Sequence, residues 1–154
     1  MTNGTLPEAA LRPALASDLQ GIERLLAASD LPIAGVAESL SGFVVAEADG
    51  GIVGTAALEV CCENALLRSV AVAPEWRSRG LGRALVARVI SDAEARGIHA
   101  VYLLTTTAER YFPSFGFQPV GRHDVPADVR ETGEFREACP ASAVVMRRSV
   151  RDVA

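Results

Sequence analysis

Between Leu66 and Ile90 the spacing of apolar positions changes from that of a strand to that of a helix. Leu66 to Val72 is an apolar, β-branched run of strand length, and Pro74 stops it. Beyond Arg77-Ser78-Arg79-Gly80-Leu81-Gly82, apolar residues recur at Leu81, Ala84, Leu85, Val89 and Ile90, a stripe of helical period that Gly97 closes. The same patterning predicts the elements on either side. Leu11 to Leu15 is a short strand, and Ser17 is placed to N-cap a helix through Leu26 with Asp18 in its first turn. Pro32 to Leu40 carries a weaker helical pattern. Gly42 to Ala48, the turn Asp49-Gly50-Gly51 and Ile52 to Val60 form a hairpin, and Glu63 to Ala73 adds a third antiparallel strand. After the long helix come a strand at Ala100–Leu104, a short helix at Ala108–Phe115, a strand at Phe117–Val120, a less regular stretch at Val125–Glu137 and a final strand at Ala143–Arg147. Read in order, the elements run β-α-α-β-β-β-α-β-α-β-β, an α/β (α+β) arrangement.

Length and composition narrow the class. At 154 residues the chain has the size of one domain with a core, and we read residues 1–154 as that single domain. With 49% apolar and 22% charged residues it is not a disordered segment. A net charge of −4 removes bulk attraction to nucleic acid or anionic membrane, so neither is expected as a partner. No apolar run approaches about 18 residues, and the start lacks a basic-then-apolar leader pattern, so a cytoplasmic location is expected. Three cysteines, two of them adjacent, make no disulfide framework. His99 and His123 are isolated, without metal-ligand spacing, so no metal is expected.

The candidate chemistry sits where strand turns into helix. A helix start carries unpaired N–H groups and a partial positive charge, and glycines let a phosphate reach them. Arg77, Arg79 and Arg83 add formal charge at the same point. The loop has no Gly-Lys-Ser/Thr ending to hold Mg²⁺, and it lacks the three-glycine spacing and distal acidic residue of a dinucleotide fold. A pyrophosphate cradle of another kind remains.

The joined strand, Pro74, Arg77-x-x-Gly80-x-Gly82 and helix resembles the acetyl-CoA signature of the GNAT superfamily of N-acetyltransferases, and TTTAERYFPSFGFQPV resembles that family's next element. The stretches LLRSVAV, LLTTTAERYF and VPADVRETGEFREACPASAVVM are most similar to arsenic-resistance (ArsN-type) N-acetyltransferases, and also to the acetyltransferase domain of N-acetylglutamate synthases. The resemblance implies a GNAT fold, that is, a single mixed, mostly antiparallel sheet flanked by helices, together with acetyl-CoA as cosubstrate, a homodimer, and acetyl transfer to the α-amine of a small, glutamate-like amino acid. Within it, Val70, Ala71 and Val72 would offer backbone groups to the pantetheine arm. Arg77, Arg79, Gly80, Leu81, Gly82, Arg83 and Ala84 would hold the pyrophosphate, with Phe112 also at the cofactor.

Acid and base are less legible. Many relatives place a tyrosine four residues before the Gly of Gly-Phe; here that position is Phe112, and Tyr111 precedes it as the candidate acid. Many carry a glutamate where this chain has Leu66, which leaves Glu59, Glu63 or a water held by backbone groups as candidate base. Arg68 is the first candidate for a substrate carboxylate, with hydroxyls from Thr105, Thr106 and Ser142 behind it. Cys61, Cys62 and Cys139 invite comparison with thiolate capture of an arsenical. Adjacent strand residues point to opposite faces, however, and buried inert thiols are the better reading. A protein N-acetyltransferase and a non-catalytic CoA-binding sensor stay open as alternatives.

Overall fold

The computed structural model describes residues 9–105, 110–130 and 143–150. Seven strands, β1 (Ala10–Pro13), β2 (Phe43–Ala48), β3 (Gly51–Cys61), β4 (Asn64–Val72), β5 (Ala100–Thr105), β6 (Gln118–Val120) and β7 (Val144–Ser149), hydrogen-bond in the order β1-β2-β3-β4-β5-β7-β6. Among the described residues three α-helices accompany them: α1 (Leu19–Ala28), α2 (Leu81–Ala95) and the single turn α3 (Ala127–Arg130). The pairs β1–β2, β2–β3, β5–β7 and β6–β7 are antiparallel, whereas β4 and β5 are parallel, with Asn64 to Leu66 opposite Ala100 to Tyr102. A parallel pair needs a long crossover, and α2 supplies it. The mixed, mostly antiparallel sheet expected from the sequence is therefore present.

The chain packs as two compact units, Met1–Ala57 with Ser69–Val86, and Leu58–Arg68 with Ala87–Ala154. In the first, Ile22, Leu25 and Leu26 of α1 bury against Phe43 and Val45 of β2, Ala57 of β3 and Ala71 of β4. The β2–β3 turn consists of Asp49 and Gly50 at φ of 54° and 77°, the left-handed pair that a two-residue hairpin needs. Isolated glycine in a strand marks a close approach. Gly54 of β3 is such a case: a Cβ there would lie 2.8 Å from Leu85 Cδ1 and 3.3 Å from Leu81 Cδ2. The missing side chain lets the first turns of α2 sit directly on the strand.

The entry to α1 is clamped by charge. Arg12 on β1 donates two hydrogen bonds to Asp18, at 2.7 and 3.0 Å, and one at 3.0 Å to Glu47 on β2. The Asp18 carboxylate also accepts the Leu15 N–H at 2.7 Å, so it caps the turn, while Ser17, the expected cap, is exposed. The Arg12 hydrogen bonds hold the Asp18 carboxyl below its ordinary range, against an opposing effect of burial.

In the second unit Leu66 of β4, Ala100 and Tyr102 of β5, Val145 of β7, and Val125 and Val129 around α3 form the core. Asn64 Nδ2 donates to Asp128 at 3.4 Å, and Arg147 Nε donates to the Tyr102 hydroxyl at 3.2 Å.

Two expected helices are corrected. Residues 34–39 are a run of turns, and a 3-10 turn at Leu40–Gly42 follows, because Gly35 takes φ +80° and breaks the helical path. Of the helix expected at Ala108–Phe115, the described part is a 3-10 turn at Phe112–Phe115; Pro113 lacks an N–H and Gly116, at φ +88°, ends it.

Two outcomes test this packing. Gly54→Val forces Leu81 and Leu85 aside and should cost roughly 1–3 kcal/mol in denaturant unfolding; an unchanged midpoint would contradict the close approach. Asp18 has a depressed folded pKa, so its stabilisation is present above the ordinary aspartate value of about 3.9 and disappears as pH falls through the folded value. Asp18→Asn should therefore melt lower than the parent at about pH 7, with the gap closing towards about pH 2. A gap that stays constant with pH would refute the charged clamp.

Candidate acetyl-CoA site

The site is built from the end of β4 onward. Ala73 N–H donates to Val53 O at 2.8 Å and holds the strand end to β3, after which a 3-10 turn at Pro74–Trp76 redirects the chain. Ser78 and Gly80 are both left-handed, at φ +64° and +84°, and Arg79 between them is not. Alternation of this kind turns successive N–H groups towards one side and makes an anion-binding concavity. The ladder of α2 begins with Ala84 N–H donating to Gly80 O at 3.0 Å, so the amides of Leu81 and Gly82 stand ahead of it. Nothing lies within 4 Å of the point where a Gly80 Cβ would stand, which leaves the mouth of the concavity open. The N-terminal partial charge of a 15-residue helix points into the same place.

The arginines divide their work. Arg77 Nε donates to Val72 O at 3.0 Å and ties the loop to the strand end. The Arg79 guanidinium lies over the Trp76 ring, 5.2 Å from its centroid, and Trp76 in turn packs against the core of the first unit. Arg77, Arg79 and Arg83 are all exposed, as is Ala84. Leu81 is 8% exposed, with its side chain seated by Gly54, so it offers its amide and not its side chain. Of the strand residues, Ala71 is buried in the core and Val70 and Val72 are half-buried. This donor set of backbone amides with a positive surround fits a diphosphate.

The other candidate residues belong to the second unit. Arg68, 5% exposed, has Nη1 3.6 Å from Glu59 Oε1, so two of the residues singled out from the sequence are brought together. Glu63 is not with them. It lies in the turn between β3 and β4, at the end of β4 away from Val72, where its carboxylate is 3.7 Å from His99 Nδ1 and its carbonyl accepts the His99 N–H. Phe112 is buried and packs edge-on against Phe117 at 5.8 Å, whereas Tyr111 is 38% exposed and stacks against Phe112 and Phe115 at 5.2 and 5.3 Å. Leu66, at the position where many relatives carry glutamate, is fully buried. Thr105 ends β5 opposite Val144, half-buried. Thr106, Ser142 and Cys139 lie outside the described residues. Cys62 is exposed in the same turn as Glu63, and no group of three His, Cys, Asp or Glu side chains among the described residues could hold a metal.

Sequence patterning missed three features. Ser69 takes φ +58° inside β4, and the hydroxyl of the fully buried Thr55 donates to its carbonyl at 2.7 Å. The ties of Arg77 to Val72 and of Arg79 to Trp76 were also not visible. A polar threonine in the apolar run Ile52–Val60 was the one available signal for the first.

Comparison with known proteins follows the same line. Residues 39–119, more than half of the 154, match the acetyltransferase (GNAT) domain family. The chain is 38% identical over 88 residues to an amino-acid acetyltransferase of Aeromonas salmonicida, covering 56% of this chain and 20% of that protein. N-acetylglutamate synthase from Neisseria gonorrhoeae, complexed with coenzyme A and L-arginine, superposes with a TM-score of 0.80 at 24% identity, covering 96% of this chain and 34% of the other. The ribosomal-protein-S18-alanine N-acetyltransferase from Escherichia coli gives 0.73 at 22% identity, covering 95% and 96%. The chain belongs to the GNAT acetyltransferase family and has its fold, with a cradle suited to the acetyl-CoA that family uses. It spans about a fifth of the Aeromonas protein and a third of the Neisseria one. Among its described residues no helix is long and apolar enough to cross a membrane.

Gly82→Glu would set a carboxylate against the diphosphate. At about 4 Å and an effective dielectric near 20 the repulsion is roughly 4 kcal/mol per charge pair, well beyond the ~1.4 kcal/mol of a tenfold change. CoA affinity by calorimetry should fall far more than tenfold; unchanged affinity would refute the placement of the cradle.

Proposed function

We propose that this chain is an acetyl-CoA-dependent N-acetyltransferase acting on the α-amine of a small, glutamate-like amino acid or an amino-acid-like toxin. The observation that carries the reading is the amide concavity from Ser78 to Gly82 at the start of α2. The match to amino-acid acetyltransferases supports the substrate class. Acetyl-CoA supplies an activated thioester, and the neutral amine attacks its carbonyl carbon. Backbone groups of Val70, Ala71 and Val72 align the arm and meet the charge that develops on the thioester oxygen. The loop amides of Arg79 to Arg83 hold the diphosphate.

Arg68 is the proposed partner of the acceptor carboxylate, since a guanidinium can grip one at two points. It stands two residues before Val70 on the same strand. Glu59, beside Arg68, is the proposed base, and it takes precedence over Glu63, which faces His99. Tyr111 remains the proposed acid for the departing thiolate; its hydroxyl-bearing ring is exposed where Phe112 is buried. The apolar, buried Leu66 and Phe112 favour one second reading, a CoA-binding sensor without catalysis. An arsenic-resistance setting and a homodimer are the finer parts of the proposal, and they rest on the sequence resemblance.

Thiol release from acetyl-CoA over a panel of free amino acids and peptides separates these readings. Turnover on an acidic amino acid is expected. Turnover on peptides alone would favour a protein acetyltransferase, and none on any amine, with CoA still bound, would favour the sensor. Arg68→Ala should raise KM for the acidic amino acid about tenfold or more and leave KM for acetyl-CoA within about twofold. Equal rises in both would remove Arg68 as the carboxylate anchor.

A further inference from the structure

We propose that Thr55 is a positioning residue whose hydroxyl holds the kink in β4 that aligns the backbone of Val70 to Val72. The inference rests on the acetyl-transfer reading above and extends it to a residue outside the cofactor loop.

Ser69 takes φ +58° within β4, a left-handed conformation that a non-glycine residue adopts only against a steric cost, and one that marks a bulge in a strand. Such a residue persists only where its surroundings over-determine it. The residue is buried, at 7% exposure, so water does not compete for the exact orientation of its peptide groups. A carbonyl can only accept, so the 2.7 Å contact is a hydrogen bond donated by Thr55 Oγ1 to Ser69 O. Thr55 is itself fully buried on β3, where its backbone partner across the ladder is Val45 of β2.

A buried threonine amid Ala56, Ala57 and Leu58 is an expense that valine, of the same shape, would avoid. Its hydroxyl is accounted for by the bond it makes to the carbonyl of the kinked residue. The Ser69 carbonyl belongs to the peptide unit whose N–H is that of Val70, so fixing that oxygen fixes the plane and direction of the Val70 amide. The next two residues lead directly to Val72, whose carbonyl Arg77 holds at 3.0 Å. The segment Val70 to Val72 is thus pinned at both ends, by Thr55 before it and by Arg77 after it. No group of Thr55 needs to approach the reacting atoms; it acts through the peptide plane alone.

The test compares the parent with Thr55→Val, Thr55→Ser and the double variant Thr55→Val with Ser69→Gly. Steady-state kinetics use acetyl-CoA and the amino acid that the panel identifies, with CoA affinity by calorimetry and melting by circular dichroism. Thr55→Val should lower kcat by about tenfold or more while CoA affinity stays within about threefold, because the diphosphate grip is untouched. Thr55→Ser, which keeps the hydroxyl, should return kcat to within about threefold of the parent. Should Thr55→Val fail to fold, the double variant should restore a folded and partly active protein, since glycine adopts the left-handed conformation without the side-chain cost. The proposal is overturned if Thr55→Val keeps the parent kcat. It is overturned equally if kcat and CoA affinity fall together in proportion to lost folded protein, or if neither serine nor the glycine suppressor restores activity. An inactive parent would sink the acetyl-transfer reading, and this inference with it. An active parent with an equally active Thr55→Val sinks the inference alone.

Discussion

The close approach of α2 to Gly54 is the constraint on which the proposed cofactor cradle depends. Because β3 has no side chain at that point, Leu81 and Leu85 reach down onto the strand, and the start of the helix is fixed by core packing. Its first amides are then carried on a rigid element. Gly80 completes the arrangement from the other side, reversing the chain at φ +84° with open space above it. The buried leucines fix where the first amides of the helix stand.

The strand that feeds this helix is under local strain where its backbone must be exact. Ser69 is left-handed inside β4, Thr55 holds its carbonyl, and Arg77 holds the carbonyl of Val72. Side chains that sequence reading assigned to the ligand therefore take up structural duties as well. Arg77 is a tie for the loop, and Arg79 is stacked on Trp76. In the second unit, the pairing of buried Arg68 with half-buried Glu59 balances a charge that would otherwise be costly to remove from water.

Strands and the long helix were legible because their periodicity is strong: the β2–β3 hairpin with its Asp49-Gly50 turn, β4 ending before Pro74, and α2 from Leu81 were all placed within a residue or two. The helix over Pro32–Leu40 was misread, since a left-handed Gly35 overrides a weak apolar stripe. Ser17 was favoured as a cap by propensity, but Asp18 took the role through its bonds to Leu15 and Arg12, a tertiary contact that no local pattern encodes. At the candidate site, the spacing of glycines and arginines pointed to the junction of β4 and α2, where the chain turns through left-handed Ser78 and Gly80. Division of labour among the arginines, the placement of Glu63 against His99 and the kink at Ser69 were not legible, because each depends on contacts across the sheet.

The central claim is that main-chain amides at the start of α2 bind the diphosphate of coenzyme A. Titrating the isotopically labelled protein with CoA and following amide ¹H–¹⁵N resonances tests it most directly. The account predicts that the amides of Gly80, Leu81 and Gly82 shift most, downfield and saturably, with pantetheine, which lacks the diphosphate, failing to reproduce the effect. Saturable binding of CoA that leaves those three resonances in place while moving others would contradict it.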